Sequence, residues 1–169
     1  AGSPLKTASI SAAAAAGSVV ELTVPAEPQL STLAAVKESL TGKILIDVTV
    51  PLVPPKVGTV QLPPEGSAGK RAQSLLGDDV MVVSAFQNIA AHLLQQDVEI
   101  ECDVLVAGNK KAARDKVIEL IAQAGMRGWH AGPIENSAAA EALTSILIQI
   151  NRSGVLSHAG IKIVGQGDH

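Results

Sequence analysis

Three stretches carry a strand directly into a proline or a polar turn: LTVPAEP from Leu22, DVTVPLVPP from Asp47 and VSAFQNIAA from Val83. The third holds Phe86, the only Phe of a chain with no Tyr and a single Trp. Two amides, Gln87 and Asn88, follow it, where the strand hands over to an apolar run suited to opening a helix. In an open α/β sheet the carboxyl ends of the strands line one crevice, and ligands bind there. These three ends offer backbone amides, Thr and Asn polar groups, and walls of Val, Pro, Leu and Phe. Such a crevice suits a flat, mostly apolar ring with a few hydrogen-bonding edges. It does not suit hydrolysis, because no general base or carboxylate pair stands out as an acid/base couple. Chemistry that asks no acid or base of the protein is carried by cofactors, and hydride transfer is the leading example. A proline after one strand is by itself only a strand stop; three such ends together favour the crevice.

Other motifs fail when checked. PEGSAGKR has the Gly69-Lys70 of a phosphate loop, but that pattern needs Gly where Pro64 stands and Ser or Thr where Arg71 stands. His92, His130, His158 and His169 have no metal-ligand spacing and read as structural or solvated. Cys102, beside Asp103 at a strand start, reads as a small core or edge residue rather than a nucleophile. No G-x-S-x-G elbow occurs. DVEIECDV alternates acid and apolar residues, as one wet strand face does.

The elements that must position these ends alternate in type. SVVELTV (Ser18–Val24), KILIDVTV (Lys43–Val50), VMVVSAF and CDVLVAG (Cys102–Gly108) read as strands, and AGIKIVG as a last one. Between the first two, Pro28 stands near a helix start, with Leu30, Leu33, Val36 and Leu40 down one face and Gly42 as terminator. A proline-rich loop follows the second strand, and a short helix spans Ser67 to Leu76. Asn109 caps the clearest helix, with Ala113, Val117, Leu120, Ile121 and Ala124 as its stripe and Gly125 as its close. MRGWHAGP is a short connecting segment. A last helix from about Asn136 to Asn151 is apolar nearly all round, so it is deeply buried or packed against a partner. The pattern predicts a mainly parallel sheet with helices on both faces.

At 169 residues the chain fits one domain, residues 1–169, with a small C-terminal helical part from about 134. Its net charge of −3 gives no electrostatic footprint for nucleic acid or anionic membrane. A single cysteine rules out an internal disulfide and fits a cytoplasmic, reducing location. No apolar run reaches the roughly 18 residues of a membrane span. The Ala12–Ala16 tract is too short for a signal-peptide core and lacks a basic leader.

The runs GKILIDVTVPLVPPKVG, QLPPEGSA, VVSAFQN, CDVLVAG, AGMRGWHAGPIENSAAAEALTSILIQINR and HAGIKI resemble the reductases that pass hydride between NADP and coenzyme F-420, an 8-hydroxy-5-deazaflavin. The likeness runs from about Ser18 to Val164. It implies a Rossmann-type domain in which nicotinamide and deazaflavin rings meet face to face. By position, Thr23, Val24 and Pro25 resemble the strand end beside the NADP. Val48, Val50, Pro51 and Leu52 resemble the apolar wall of the deazaflavin site. Ala85, Phe86, Gln87, Asn88 and Ile89 resemble the loop where the rings meet, and Ala159 and Gly160 a segment that closes over the deazaflavin. No catalytic side chain and no metal is implied. The family opens with a strand, a glycine-rich turn, a helix and a second strand, which hold the pyrophosphate. No G-x-G-x-x-G occurs here, so the expectation is a Rossmann-like fold without strands 1 and 2, about 30 residues or more. In the usual strand order 3-2-1-4-5-6 that loss leaves strand 4 with a bare edge and separates strand 3 from it. The function so implied is a hydride-transferring oxidoreductase, and the apolar last helix, with Leu143, Ile146, Leu147 and Ile150 spread around it, leads to the separate expectation of a homodimer. A deazaflavin-binding module without turnover, or a dimerisation fragment, is the alternative.

Overall fold

The computed structural model of the protein describes residues 6–96 and 98–166, so His169 and the end of the GQGDH tail lie outside the described residues. Five strands form one sheet: β1 (Val19–Leu22), β2 (Ile44–Asp47), β3 (Met81–Ser84), β4 (Asp103–Gly108) and β5 (Arg127–Gly132), in the spatial order β1-β2-β3-β4-β5. β1, β2 and β3 run parallel, with α2 (Gln29–Leu40) and α3 (Ala68–Leu76) as the crossovers. β4 lies antiparallel to β3, and β5 parallel to β4 through α4 (Lys111–Gln123). The antiparallel step follows from the connection. The chain between β3 and β4 forms only a short 3-10 turn, Ala91–Gln95, so no crossover helix carries it back across the sheet.

Strand alternation explains the two cores. Leu22, Leu45 and Val82 point to one face and pack with Leu33, Val36 and Leu40 of α2 and Ala72 and Leu76 of α3. Ile46, Val83, Val104 and Val106 point to the other and pack with Ala113, Val117 and Ile121 of α4. Helices on both faces, as the pattern predicts, are thus present. A short first helix, α1 (Ile10–Ala16), is capped by Ser9 and held at its carboxyl end by Lys43, whose Nζ donates to the Ala14 and Ala15 carbonyls at 2.7 and 2.9 Å. α5 (Ser137–Arg152) packs against α3 and β4.

Four sequence expectations need correction. The first strand is not separated from the second: β1 pairs with β2 residue for residue, Val19 with Ile44 through Leu22 with Asp47. MRGWHAGP is no connector but β5, an edge strand carrying Gly128, Gly132 and a half-exposed Trp129, which hides its strand pattern. AGIKIVG forms no strand. One backbone bond, from the Asp103 amide to the Ile161 carbonyl at 2.8 Å, sets it beside β4. Asn109 does not cap α4; its Oδ1 accepts instead from the Ile134 amide at 3.1 Å, and Lys110 occupies the cap position.

Leu33 is fully buried between β1, β2 and α3. Leu33→Ala should lower unfolding stability by about 2–5 kcal/mol in a urea titration, with the solvent-facing Leu30→Ala near neutral.

Candidate functional site

Two carboxyl groups that sequence reading passed over organise the carboxyl edge of the sheet. Asp47, the last residue of β2, is fully buried. Its Oδ1 accepts from the Thr49 amide at 2.9 Å and its Oδ2 from Gln29 Nε2 at 2.5 Å. Arg71 donates from Nε and Nη2 to Gln29 Oε1 at 2.9 and 2.6 Å, so a cation stands one residue behind the carboxylate. Burial pushes the Asp47 carboxyl above the ordinary range, against the opposing hydrogen bonds of Thr49 and Gln29 and the charge of Arg71. Glu141 of α5 accepts from the first amides of α3, Ala68 at 2.7 Å and Gly69 at 3.0 Å. It caps that helix from another element. Gly69 permits the approach, since a Cβ there would meet Ser137 Oγ at 3.0 Å and Ser84 Cβ at 3.2 Å. Burial raises the Glu141 carboxyl to about 7; the amides of Gly69 and Ala68 oppose the rise and the charge of Asp47 adds to it. The α3 amides that a phosphate loop would offer are therefore already taken by a carboxylate, which explains physically why GSAGKR is not one.

The strand ends meet as expected in part. A cavity of about 560 Å3 is lined by Thr23 from the end of β1, Val48 and Val50 from the end of β2, and Phe86, Gln87 and Ile89 from the loop after β3. Met126, Ala124 and Thr144 also line it, and sequence reading named none of them as site residues. Gln87 is held by its own Nε2, which donates to the Asp47 carbonyl at 2.8 Å. Its Oε1 is buried with no hydrogen-bond partner. Glu21, its carboxyl raised by burial, also lines the cavity beside Thr23 and Thr144, so its wall mixes apolar and polar groups. Phe86 adopts φ 71°, a left-handed backbone that only the surrounding packing sustains in a bulky residue. It lines the cavity and packs its remaining surface on the core cluster of β3, β4 and α4.

The other named residues lie around this cavity. Asn88 is buried; its Nδ2 donates to the Ala140 carbonyl at 2.8 Å and to Thr144 Oγ1 at 3.2 Å, tying the loop to α5. Asn88 shares a smaller adjoining cavity of about 120 Å3 with Ala159. Gly160 packs on Cys102, where a Cβ would stand 2.7 Å from the sulfur. Cys102 is buried, its thiol pushed up first by burial, and it accepts from the Ile161 amide at 3.3 Å, so it anchors the C-terminal segment as a structural residue. Pro51 and Leu52 line a separate cavity of about 410 Å3 that also touches Arg71. Val24 lines a fourth, beneath α1. Pro25 is exposed, and Ala85 is fully buried in the core, its amide donating to the Asp47 carbonyl at 3.3 Å.

No family model matches the chain. Over 156 residues it is 39% identical to the F-420-dependent NADP reductase of Methanocaldococcus jannaschii, an overlap spanning 89% of this chain and 70% of that relative. It is 37% identical over 166 residues to the F-420-dependent NADP reductase of Methanothermobacter marburgensis, spanning 94% of this chain and 74% of the relative. A crystal structure from an Arthrobacter species, provisionally named an F-420-dependent NADP reductase, superposes with TM-score 0.80 at 25% identity. It matches 94% of this chain and 74% of its own.

The buried Glu141 carboxyl predicts a pH slope. Its folded value, about 7, exceeds the ordinary 4.5, so the folded chain holds this proton more tightly than the unfolded one. The stabilisation is complete below the unfolded value and is lost as pH rises through the folded one. At about 1.4 kcal/mol per pH decade, that is roughly 3 kcal/mol in all. Asp47 acts in the same direction. Urea unfolding between pH 4 and pH 8, roughly the window flanking both values, should show the decline in the parent chain and a shallower one in Glu141→Gln.

Proposed function

The chain belongs to the F-420-dependent NADP reductase family, and from that premise we propose that it is an oxidoreductase that transfers a hydride between NADP(H) and coenzyme F-420. The observation that supports this most directly is the 560 Å3 cavity where the ends of β1, β2 and β3 meet. Its walls include Val48, Val50, Phe86 and Ile89, with Glu21, Thr23, Gln87 and Thr144 as the polar members. Apolar faces with a few polar groups at their edges fit planar rings such as the nicotinamide and the deazaflavin.

In this reading the two rings supply the chemistry between themselves, the hydride passing directly from one ring face to the other. The contribution of the chain is placement and exclusion of water. Val48, Val50 and Ile89 form the flat wall. Phe86 is fixed by its left-handed backbone and by contact with the core, so it bounds the ring plane without swinging away. Gln87, its amide nitrogen anchored on the Asp47 carbonyl, bounds the cavity where the two rings meet. Thr23 and the backbone of Val24 and Pro25 flank the NADP side, and Pro51 and Leu52 extend the deazaflavin side toward Arg71. Ala85 and Asn88 support the loop, and Ala159 and Gly160 close the adjoining cavity. Asp47 and Glu141 are committed to hydrogen bonds inside the fold, so neither serves as acid or base. A cytoplasmic location belongs to the same proposal and agrees with the free, buried Cys102. No helix among the described residues is long and apolar enough to cross a membrane.

A homodimer is part of this reading. α5 leaves Ile146 48% and Ile150 37% exposed, and the following turn leaves Val155 81% exposed. Apolar groups clustered on one helix face mark an association surface.

Phe86→Asp tests the ring wall, because Asp tolerates the left-handed backbone and the change buries an unpaired carboxylate against a ring. Calorimetric titration with coenzyme F-420 should show at least about tenfold weaker binding in a variant whose circular dichroism is unchanged. Unchanged affinity would remove Phe86 from the site. Sedimentation should show a dimer for the parent chain and a monomer for Ile146→Asp; a parent chain that is monomeric at micromolar concentration sinks the dimer.

A further inference from the structure

We propose that Arg71 forms an anion subsite beside the ring cavity, which holds a phosphate ester carried by one of the two cofactors. The inference rests on the oxidoreductase reading above and deepens it: one cavity takes the rings, and this subsite takes a charged group that extends from one of them. Arg71 stands near the start of α3, half-buried, and its guanidinium is fixed. Nε and Nη2 donate to Gln29 Oε1 at 2.9 and 2.6 Å, and Nη2 donates also to the Ala26 carbonyl at 3.1 Å. Gln29 is itself fully buried, and its amide nitrogen is held by Asp47 Oδ2 and by the Ala68 carbonyl. These bonds settle the position of the Arg71 head before any ligand arrives. They use Nε and Nη2 only. Nη1 donates to no described residue, and none of the ion pairs among the described residues involves Arg71. A guanidinium cannot shed its charge, so a permanent cation is held in place with donors to spare.

The cavity of about 410 Å3 that Arg71 lines is walled mostly by the proline-rich loop, with Pro51, Leu52, Pro54 and Leu62 among its members. Prolines bring no backbone donor, so they leave the recognition of an anion to the guanidinium. Two polar side chains share the lining. Gln61 spends its amide nitrogen on the Val53 and Lys56 carbonyls at 3.3 and 3.2 Å and so braces the loop. Glu27 is exposed, where water and salt screen its charge. Arg71 is the one cation of the lining, set against apolar walls that strengthen its field. The cavity lies next to the ring cavity along the chain: Val50 lines that one and Pro51 this one, at the exit of β2. A planar guanidinium with free N–H groups suits an oxyanion with several acceptor oxygens, and phosphate esters are the anions that both cofactors carry. In NADP they are the pyrophosphate and the 2′-phosphate; in coenzyme F-420 the phosphodiester lies in the tail beyond the ring.

Three probes test the subsite by calorimetric titration: coenzyme F-420, the same deazaflavin cut back to its ring and ribityl chain, which carries no phosphate, and NADP. Arg71→Gln should weaken the phosphate-bearing cofactor about tenfold or more and leave the phosphate-free deazaflavin unchanged. The phosphate-free form separates the subsite from a structural role. If Arg71 only braces Gln29 and Asp47, its loss loosens the strand ends and weakens the bare ring as well. Selective loss for coenzyme F-420 supports the subsite with the tail as its ligand. Selective loss for NADP, with both deazaflavins unchanged, supports it with the NADP phosphates. Leu62→Trp crowds the same cavity without touching the Gln29 bridge, so it should reproduce the selective loss, and it decides the matter where Arg71→Gln does not fold. Affinities unchanged in both variants, or a loss shared by the bare ring, would overturn the subsite and leave the ring cavity standing. A parent chain that binds none of the three probes overturns the oxidoreductase reading itself, and the subsite with it.

Discussion

Everything at the carboxyl edge of this sheet is arranged around two buried carboxyl groups that cannot both be left without partners. Taking a carboxylate out of water costs several kcal/mol, and two near each other cost more. Asp47 meets the demand with the Thr49 amide, Gln29 and, behind Gln29, Arg71. Glu141 meets it with the free amides of α3. Apart from the local Thr49 bond, each reaches across elements: β2 to α2, α2 to α3, α5 to α3. The cluster therefore fixes how the helices seat on the end of the sheet, as a purely apolar contact, with its loose directional preference, would not.

The loop after β3 inherits its position from that cluster. Gln87 Nε2 rests on the Asp47 carbonyl, and Thr144 Oγ1 of α5 donates to the Gln87 carbonyl at 2.9 Å. Asn88 spends its amide on α5, and its carbonyl lies 3.7 Å from the Cys102 sulfur, which in turn carries the C-terminal segment. The amides at the strand-to-loop handover divide the work. Asn88 braces the loop, and Gln87 braces it with its amide nitrogen while its oxygen is buried and unpaired. Asp103 shows the same economy of position on the other side of β4. Burial pushes its carboxyl up, but the Ile163 amide, the Trp129 indole at 2.8 Å and the Arg127 charge together hold it below the ordinary range.

Much of the architecture is legible in the chain itself. Alternating apolar strands and amphipathic helices at βαβ spacing dictate a layered sheet, because each strand with two apolar faces must be covered on both. The run Leu45–Ile46 shows it, with adjacent residues serving opposite cores. The strand ends at Thr23, Val50 and Phe86 are likewise readable, since prolines and amides after apolar runs mark where strands stop. Two signals were present and unread: an Asp inside the apolar run KILIDVTV, and a Glu inside the small-residue helix SAAAEALTSIL. A lone charge in a segment otherwise built for burial requires a partner.

Sequence by itself determined the first four strands, the helices between them, their order and the cluster of apolar strand ends, because these follow from local periodicity and backbone restriction. Tertiary structure alone decided what joins them. It paired β1 directly with β2, made an edge strand of the glycine-rich segment Arg127–Gly132, and left the segment Ala159–Gly165 beside β4 without making it a strand. It also brought Glu141 onto the Ala68 and Gly69 amides from more than seventy positions away, and His92 to His158 from 66. The reason is physical. Periodicity reports which side of a residue is buried, while the partner of a buried charge or a converging imidazole depends on distances across the fold, and these exist only once the layers have packed.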